Sequence, residues 1–334
     1  MIGLGYWGPN YVRVLSSISN AKVTFCCDPN KDALNSVLLN YPHVKGTTSS
    51  EEVIHSAEVD AIVISTPASV HYKIAKKCLL KGKPVLVEKP MTTRSSDAKD
   101  LCKIAERNHV TLMVGHTYLY HPAVIMIKKV LNSGSLGTIY YTYAVRTGLG
   151  PVRYDVNALW DLAPHDISIL LYLLGCKPVS VVASGRSYIR PQNEDVVFTT
   201  LIFPNNVVSH IHVSWLDPIK VRRTCLVGNK KMLIFDDMES LETIRIFDKG
   251  VDYEQDRTGS YGEFKLRIRE GDIYSPKIDL SEPLKNQCLH FIECIEKGKR
   301  PLTDGYFGLD VITILEAANA SLKRQSLPVN IHYE

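Results

Sequence analysis

Asp161 and His165 lie four residues apart, so on a helix they would share one face. Imidazole titrates near neutral pH, and a neighbouring carboxylate can orient the ring and stabilise its protonated form. Pro164 is compatible with the first turn of a helix, so we expect a helix that starts near Leu162 with Asp161 as its N-cap. The alternative is that Asp161 only caps the helix and that His165 packs in the core.

Lys89 stands between Glu88 and Pro90, directly after an apolar run. An ammonium group at the carboxyl end of a strand can donate to a substrate hydroxyl and stabilise an alkoxide, and the proline would stiffen its turn. The alternative is a solvated loop lysine that pairs with its acidic neighbour. Residues 66–67 and 115–117 follow apolar runs in the same way, and ligands bind at such strand ends in open α/β sheets.

Gly3, Gly5 and Gly8 have the spacing of a dinucleotide-binding turn and precede a helical pattern. In such a turn the first glycine allows a tight bend, the second lets the backbone approach a pyrophosphate, and the third lets the helix pack closely. Asp28 follows an apolar run about 20 residues later and would accept hydrogen bonds from the adenosine ribose, which favours NAD over NADP. Lys31 leaves NADP as an alternative, and a glycine-rich turn with a capping aspartate is the structural alternative.

Residues 1–118 alternate short apolar runs with helical patterns, which is typical of a doubly wound parallel sheet. The apolar runs lie at 22–27, 61–65, 84–87 and 110–114, and the helical patterns at 9–18, 70–81 and 95–108. We therefore expect an α/β fold that begins with a Rossmann-type dinucleotide-binding domain over 1–118.

Only Met1 and Ile2 precede the glycine turn, although this turn normally follows a central strand. Neighbouring strands that lack a central partner would expose buried N–H and C=O groups, at a cost of ~1–3 kcal/mol each. We expect the first strand to be truncated, and either the native start to lie upstream or the chain to bind its cofactor poorly.

Residues 119–334 contain strand-like runs with few helical patterns between them, which predicts a second α/β domain with a large, open, mostly antiparallel sheet. Two helices at 283–297 and 306–323 are expected to close the chain and pack back. Residues 249–275 are polar and contain glycine, which predicts a long loop or lid.

The composition is that of an ordinary globular protein and excludes several classes. The net charge is +4 without a basic run, so we expect no nucleic-acid partner. No apolar run approaches the ~20 residues of a membrane span, and no secretory leader pattern opens the chain. Eight cysteines without a CxxC pair indicate reduced thiols in the cytoplasm, and no cluster has metal-ligand spacing, so we predict no metal.

In these motifs the chain resembles the Gfo/Idh/MocA family of NAD(P)-dependent sugar oxidoreductases. The resemblance rests on the glycine turn, Thr66-Pro67 with His71, the E-K-P of 88–90 and the D-x-x-x-H of 161–165, in that order. It implies a catalytic triad of Lys89, Asp161 and His165, and an open sheet that often forms the interface of a homodimer or homotetramer. From the turn and the resemblance together, the expected cofactor-binding residues are Gly3, Gly5, Tyr6, Trp7, Gly8, Asp28, Thr66, Pro67, His71, Glu88 and Lys89.

The loop 5–8 and the segment 160–175 look like those of family members that act on UDP-N-acetylhexosamines or their uronates at C3. Aromatic residues after the last parallel strand could contact a sugar, and polar residues before the second motif could hold a diphosphate or carboxylate by bidentate bonds. The expected substrate-binding residues are His116, Tyr118, Tyr120, Arg146, Arg153 and Asn157, with His121 as a further candidate. Interdomain packing and ordinary surface salt bridges are the alternatives.

Three functions stay open from the sequence. The first is an NAD-dependent dehydrogenase of a pyranose hydroxyl, in which His165 is the base, Asp161 fixes its ring and Lys89 polarises the hydroxyl. The second, at the same site, is a ketosugar reductase or a myo-inositol or free-sugar dehydrogenase. The third is an NAD(H)-binding sensor without catalysis, against which the intact set of three residues argues.

Overall fold

The structure is a computed structural model that describes residues 1–150, 152–153, 155–191, 193–254, 265–279 and 281–333. The chain divides into two compact units. Unit 1 comprises Met1–His121, Ser281–Glu316 and Tyr333–Glu334, and unit 2 comprises Pro122–Leu280 and Ala317–His332. The first break lies close to the expected boundary at residue 118, whereas residues 281–316, expected within the second domain, belong to unit 1.

The helices and strands follow one another along both units. The helices are α1 (Gly8–Ser16), α2 (Lys31–Asn40), α3 (Ser50–His55), α4 (Ala68–Leu80), α5 (Ser95–Arg107), α6 (Pro122–Asn132), α7 (Ala158–Leu174), α8 (Pro283–Lys297) and α9 (Gly305–Lys323), with 3-10 turns at Thr117–Tyr120 and Pro204–Asn206. The strands are β1 (Phe25–Cys27), β2 (Lys45–Thr47), β3 (Ile62–Ile64), β4 (Val85–Glu88), β5 (Leu112–Gly115), β6 (Ile139–Thr147), β7 (Ser180–Arg186), β8 (Val196–Ile202), β9 (Val208–Ser214), β10 (Val221–Gly228), β11 (Met232–Asp236), β12 (Ile244–Phe247), β13 (Gly250–Glu254), β14 (Lys265–Arg269), β15 (Ile273–Tyr274) and β16 (Val329–Asn330).

The parallel sheet of unit 1 confirms the Rossmann-type prediction. β3, β4 and β5 pair in parallel, as do β1 and β2. Ile2 joins the two groups through parallel bridges to Cys27 of β1 and Ile64 of β3. The amino-terminal ammonium of Met1 donates a 2.8 Å hydrogen bond to the carbonyl of Phe25, and burial lowers the pKa of this ammonium group. Met1 and Ile2 thus occupy the position of the central strand.

Unit 2 contains a nine-stranded sheet in the order β15-β12-β11-β10-β6-β9-β8-β7-β16. Every neighbouring pair is antiparallel except β6 and β9, which confirms the mostly antiparallel prediction. Helix α7 contacts β6, β8 and β9. Buried residues alternate with more exposed ones along β8 and β9, because one face of the sheet is buried and the other is open.

The prediction of a long loop over residues 249–275 is wrong for 250–254, 265–269 and 273–274, which form strands. β13 pairs with β14 as a hairpin, and β15 extends the large sheet by pairing with β12. Leu266 and Ile268 alternate with basic residues, which is the period of a strand. The polar composition of the whole segment indicated a loop instead. Residues 255–264 lie outside the described part of the chain.

Within the described residues, no helix has the length and apolar character that a membrane crossing needs.

Candidate active site

The glycine turn of unit 1 has the geometry that its spacing predicts for a dinucleotide. Gly3 has φ +91°, and a Cβ there would lie 2.7 Å from the Ser65 carbonyl carbon. A Cβ on Gly8 would collide with the carbonyl oxygen of Gly3, whereas a Cβ on Gly5 would have no atom within 4 Å. The turn is therefore packed on both sides and open at Gly5, where a pyrophosphate would approach.

The surroundings of the turn also fit a dinucleotide. Helix α1 begins at Gly8 without a side-chain cap, so its amino end can receive an anion. Asp28, directly after β1, accepts hydrogen bonds from the backbone N–H of Leu4 at 2.7 Å and of Asn30 at 2.8 Å. A carboxylate has lone pairs for about four hydrogen bonds, so it can still accept from a ribose. Tyr6 and Trp7 lie exposed beside this opening, with their rings edge to face at 5.6 Å.

A buried hydrogen-bond chain ends at Glu88, the last residue of β4. Glu88 Oε1 accepts from the Tyr11 hydroxyl at 2.6 Å, and this hydroxyl accepts from Nε2 of Gln287 at 2.8 Å. Glu88 Oε2 accepts from the backbone N–H of Lys89 at 3.1 Å. Sequence reasoning missed Tyr11 and Gln287, because they lie on α1 and α8, far from Glu88 along the chain.

His71 joins the loops that follow β3 and β4. Its ring is 1% exposed, with Nδ1 2.9 Å from the carbonyl oxygen of Pro90 and Nε2 2.7 Å from that of Thr66. His71 thus links the Thr66-Pro67 turn to the E-K-P turn, because each of its ring nitrogens lies against a backbone carbonyl of one of them.

His116 follows β5 and is buried next to Lys89. Glu88 and Gly115 are register partners, so Lys89 and His116 are the next residues on the two neighbouring chain segments. His116 is 1% exposed and lies edge to face against the ring of Phe307 at 5.6 Å. Burial, followed by the charge of Lys89, lowers the pKa of His116 to about 3, so the ring is neutral at pH 7. Its Nδ1 is buried and has no hydrogen-bond partner among the described residues.

The 3-10 turn at Thr117–Tyr120 separates the two tyrosine candidates. Tyr118 stacks on His121, three residues later, with ring centroids 6.4 Å apart. Tyr120 is 5% exposed, and its hydroxyl lies 3.0 Å from Oγ1 of Thr303 in the interior of unit 1. The hydroxyl expected to contact substrate is therefore occupied in the core of unit 1.

Helix α7 starts at Ala158, earlier than the Leu162 expected from Pro164. Its N-cap is Asn157, whose Oδ1 accepts from the backbone N–H of Trp160 at 3.1 Å. The Asn157 side chain also donates to Glu194 at 2.7 Å, so its amide caps the helix and binds a neighbouring carboxylate. Pro164 lies inside the helix, where its ring nitrogen cannot donate to the carbonyl one turn earlier.

Asp161 is consequently not the cap, and its carboxylate is held from two sides. Its Oδ1 accepts from Nη1 of Arg153 at 3.2 Å, and its Oδ2 accepts from the indole Nε1 of Trp215 at 3.2 Å. Arg153 also binds Asp155 through two hydrogen bonds of 2.9 and 2.7 Å. His165 follows Asp161 by one turn of the same helix, and Trp215, just after β9, is a residue that no spacing pattern indicated.

Arg146 does not reach a substrate position. It is 5% exposed and binds the buried Asp166 through two hydrogen bonds of 2.8 and 3.0 Å. This bidentate pair ties β6 to α7, and both partners are occupied by each other. The guanidinium expected to hold a substrate anion is therefore paired in the interior, because the sequence shows its charge but not its burial.

The candidate residues are divided between the two units. Unit 1 contains the glycine turn, Asp28, Thr66, Pro67, His71, Glu88, Lys89, His116 and Tyr118. Unit 2 contains Arg153, Asp161, His165 and Trp215. No cluster of three or more metal-ligating side chains occurs in the described ranges.

Two family models match the chain. Residues 1–116 match the GFO_IDH_MocA oxidoreductase family with an NAD-binding Rossmann fold, and residues 124–234 match the GFO/IDH/MocA C-terminal domain.

Curated relatives share about a quarter of their residues with the chain. The scyllo-inositol 2-dehydrogenase (NAD(+)) of Bacillus subtilis is 24% identical over 99% of this chain and 95% of that protein. The UDP-N-acetylglucosamine 3-dehydrogenase of Acidithiobacillus ferrooxidans is 27% identical over 75% of this chain and 76% of that protein. The match to an uncharacterized oxidoreductase of Streptococcus pneumoniae, 25% identical over 61% of this chain, spans 59% of that protein.

Among solved structures, the WlbA dehydrogenase of Bordetella pertussis, in complex with NADH and UDP-GlcNAcA, has the same fold. Its TM-score is 0.80 at 21% identity, with 100% of this chain and 98% of that chain covered.

Proposed function

The chain belongs to the GFO/IDH/MocA family of oxidoreductases with an NAD-binding Rossmann fold, and on that premise we propose that it oxidises a UDP-linked N-acetylhexosamine, or its uronate, at C3. The observation that carries the proposal is the Asp161 carboxylate, which Arg153 and Trp215 hold one helical turn before His165. A fixed carboxylate one helical turn before an imidazole suits removal of a hydroxyl proton.

In the proposed reaction, Lys89, Asp161 and His165 act on one secondary hydroxyl. His165 accepts the hydroxyl proton, and Asp161 orients the imidazole and stabilises its protonated form. Lys89 donates a hydrogen bond to the same oxygen and stabilises the alkoxide as it forms. Arg153, beside Asp161, supplies a guanidinium that suits a diphosphate or a carboxylate of the substrate.

The glycine turn, the amino end of α1 and Asp28 would hold NAD through its pyrophosphate and ribose. When bound, the nicotinamide accepts the hydride from the sugar carbon. The chain's own contribution at this step is the neutral His116, the ammonium of Lys89 and the Glu88 carboxyl at the adjoining ends of β4 and β5.

Two comparisons support a nucleotide sugar. The relative from Acidithiobacillus ferrooxidans is named for UDP-N-acetylglucosamine, and the Bordetella pertussis structure contains UDP-GlcNAcA. A second candidate is an inositol or free-sugar dehydrogenase, which the match to the scyllo-inositol enzyme over 99% of the chain favours.

The test is the absorbance of reduced nicotinamide after mixing the protein and NAD with UDP-GlcNAc, its uronate, glucose or myo-inositol. A signal with UDP-sugars only supports the nucleotide-sugar assignment. A signal with glucose or myo-inositol replaces it by the second candidate. Silence with all four sugars, although NADH binds, contradicts both.

We further propose that copies of the chain pair through the open face of the large sheet. Tyr141, Phe198 and Val208 are 47%, 42% and 38% exposed on this face, and the Phe198 ring stacks on His212 at 4.4 Å. An antiparallel sheet with one face exposed to solvent usually carries polar residues on that face. Light scattering should give the mass of a dimer or tetramer, and Phe198→Lys should shift it toward the monomer. A monomeric wild type would contradict this proposal.

A further inference from the structure

Glu88 is a carboxyl group in an unusual setting, because it is 7% exposed and sits in a hydrogen-bond chain whose other side chains, Tyr11 and Gln287, are fully buried. Two donors point at its two oxygens, the Tyr11 hydroxyl and the Lys89 backbone N–H. In this arrangement each oxygen of an ionised carboxylate accepts one hydrogen bond.

The same chain can also serve a neutral carboxyl group. Gln287 Oε1 has no hydrogen-bond partner in the described part of the chain. If the amide turns over and exchanges Nε2 for Oε1, Tyr11 can donate to Gln287 and accept from a protonated Glu88. The number of hydrogen bonds between these three side chains is unchanged by the reversal. Glu88 therefore has a satisfied arrangement in either charge state.

The titratable groups that face Glu88 among the described residues are Tyr11, Cys288 and Lys89. Burial raises the pKa of Glu88, against the opposing effects of the Tyr11 hydrogen bond and the Lys89 charge. Burial also raises the pKa of Tyr11 well above its ordinary value and that of Cys288 to about 12, so both stay neutral. Lys89 contributes a positive charge, and His116, next to Lys89, is neutral.

The position of Glu88 relates this cluster to the cofactor. Ligands bind outside the carboxyl ends of strands in open α/β sheets, and Glu88 is the last residue of β4. Lys89, the next residue, is assigned above to the reacting hydroxyl, and hydride transfer requires the nicotinamide to lie against that same carbon. The oxidised nicotinamide ring is cationic and the reduced ring is neutral, so the charge near Glu88 changes with each turnover.

We propose that Glu88 changes its protonation with the oxidation state of the bound nicotinamide, through reversal of the Tyr11–Gln287 hydrogen bonds. NAD+ is bound with the Glu88 carboxylate, whose proton passes to solvent, and NADH is bound with the neutral acid. The inference rests on the proposed placement of Lys89 at the reacting hydroxyl, but not on the identity of the sugar.

The test is calorimetric titration of the protein with NAD+ and with NADH, without sugar, in two buffers of different ionisation enthalpy. The wild type should release more protons on binding NAD+ than on binding NADH. Glu88→Gln keeps the shape but cannot ionise, so this difference should vanish and the ratio of the two dissociation constants should shift toward NADH by about 10-fold.

Two tyrosine variants complete the design. Tyr11→Phe leaves the carboxyl group but removes the reversible hydroxyl, so it should reduce the difference in proton release. Tyr72→Phe is the matched control, because the Tyr72 hydroxyl on α4 also donates to a carboxylate, that of Asp100 on α5, at 2.9 Å. Tyr72→Phe should leave both readouts unchanged.

Equal proton release with NAD+ and NADH in the wild type would overturn the proposal, as would a Glu88→Gln protein that weakens both cofactors equally. Thermal unfolding of each variant separates these outcomes from misfolding. Because no sugar is present, the result is independent of whether the nucleotide-sugar assignment holds.

Discussion

The indole Nε1 of Trp215 donates a 3.2 Å hydrogen bond to Oδ2 of Asp161, which joins the end of β9 to helix α7. Arg153 occupies the other carboxylate oxygen, so Asp161 has a defined orientation before any substrate arrives. Trp215 is 3% exposed and touches the proposed chemistry only through Asp161, which makes it a positioning residue.

Trp215→Phe should therefore lower kcat by about 10-fold with little change in the KM of NAD, because a hydrogen bond to a charged group contributes ~1.5–3 kcal/mol. Steady-state kinetics with the best sugar of the panel, together with thermal unfolding, measure this effect. Unchanged kcat in a folded variant would show that Arg153 alone orients Asp161.

His165→Asn should reduce turnover by about 10²–10⁴-fold, since a positioned general base contributes that much, while NADH binding persists. The control is His55→Asn on the surface, because His55 has the same spacing from a carboxylate, with Nδ1 3.7 Å from Glu51. The control should retain full turnover. Near-full turnover of His165→Asn at neutral pH would remove His165 from the role of base.

Asp28→Ala should weaken NAD binding by about 10-fold and weaken NADP binding less, because it removes both the ribose acceptor and the charge that repels a 2′-phosphate. It also leaves the N–H groups of Leu4 and Asn30 without their acceptor, so we expect a modest fall in melting temperature. Fluorescence titrations with both cofactors give the ratio, with Asp32→Ala in the first turn of α2 as the control. An unchanged ratio would contradict the role of Asp28 in cofactor choice.

His116 should make the protein less stable in acid. Its pKa is lowered from 6.5 to about 3 by burial and by Lys89, so the unfolded chain binds a proton that the folded chain does not. Stability is then fully present above the unfolded pKa and falls as the pH drops from 6.5 toward 3, by on the order of 4–5 kcal/mol at the limit.

His116→Phe should flatten this part of the profile, measured by denaturant unfolding at several pH values without cofactor. A variant with the wild-type slope would show that His116 is exposed to solvent or paired in solution. The companion variant His116→Gln keeps a polar side chain without titration and guards against a packing defect in the phenylalanine variant.

The glycine turn and the strand ends could be predicted because their requirements are local. A positive φ at Gly3 and the close approach at Gly8 follow from backbone sterics within a short segment, so the spacing of glycines reports them directly. The same holds for the apolar runs of β3, β4 and β5, which read as buried strands because both faces are covered.

In contrast, the charge of a side chain, or its ability to cap a helix, does not indicate whether the side chain is buried or which partner it binds. Arg146 and Asn157 looked available to a substrate, but Arg146 pairs with Asp166 in the core and Asn157 caps α7. Tyr120 is turned inward by the 3-10 turn that leaves Tyr118 against His121. The lengths of the flanking strands and helices, which no single motif specifies, decide these outcomes.

The amino-acid sequence by itself determined the dinucleotide turn and the alternation of strands and helices in unit 1, because each depends on residues that are neighbours along the chain. Only the tertiary structure decided which polar groups are buried together. Tyr11, Glu88 and Gln287 come from three distant segments of the chain, and Trp215 is likewise distant from Arg153 and Asp161. Packing removes these polar groups from water, so they form hydrogen bonds with one another.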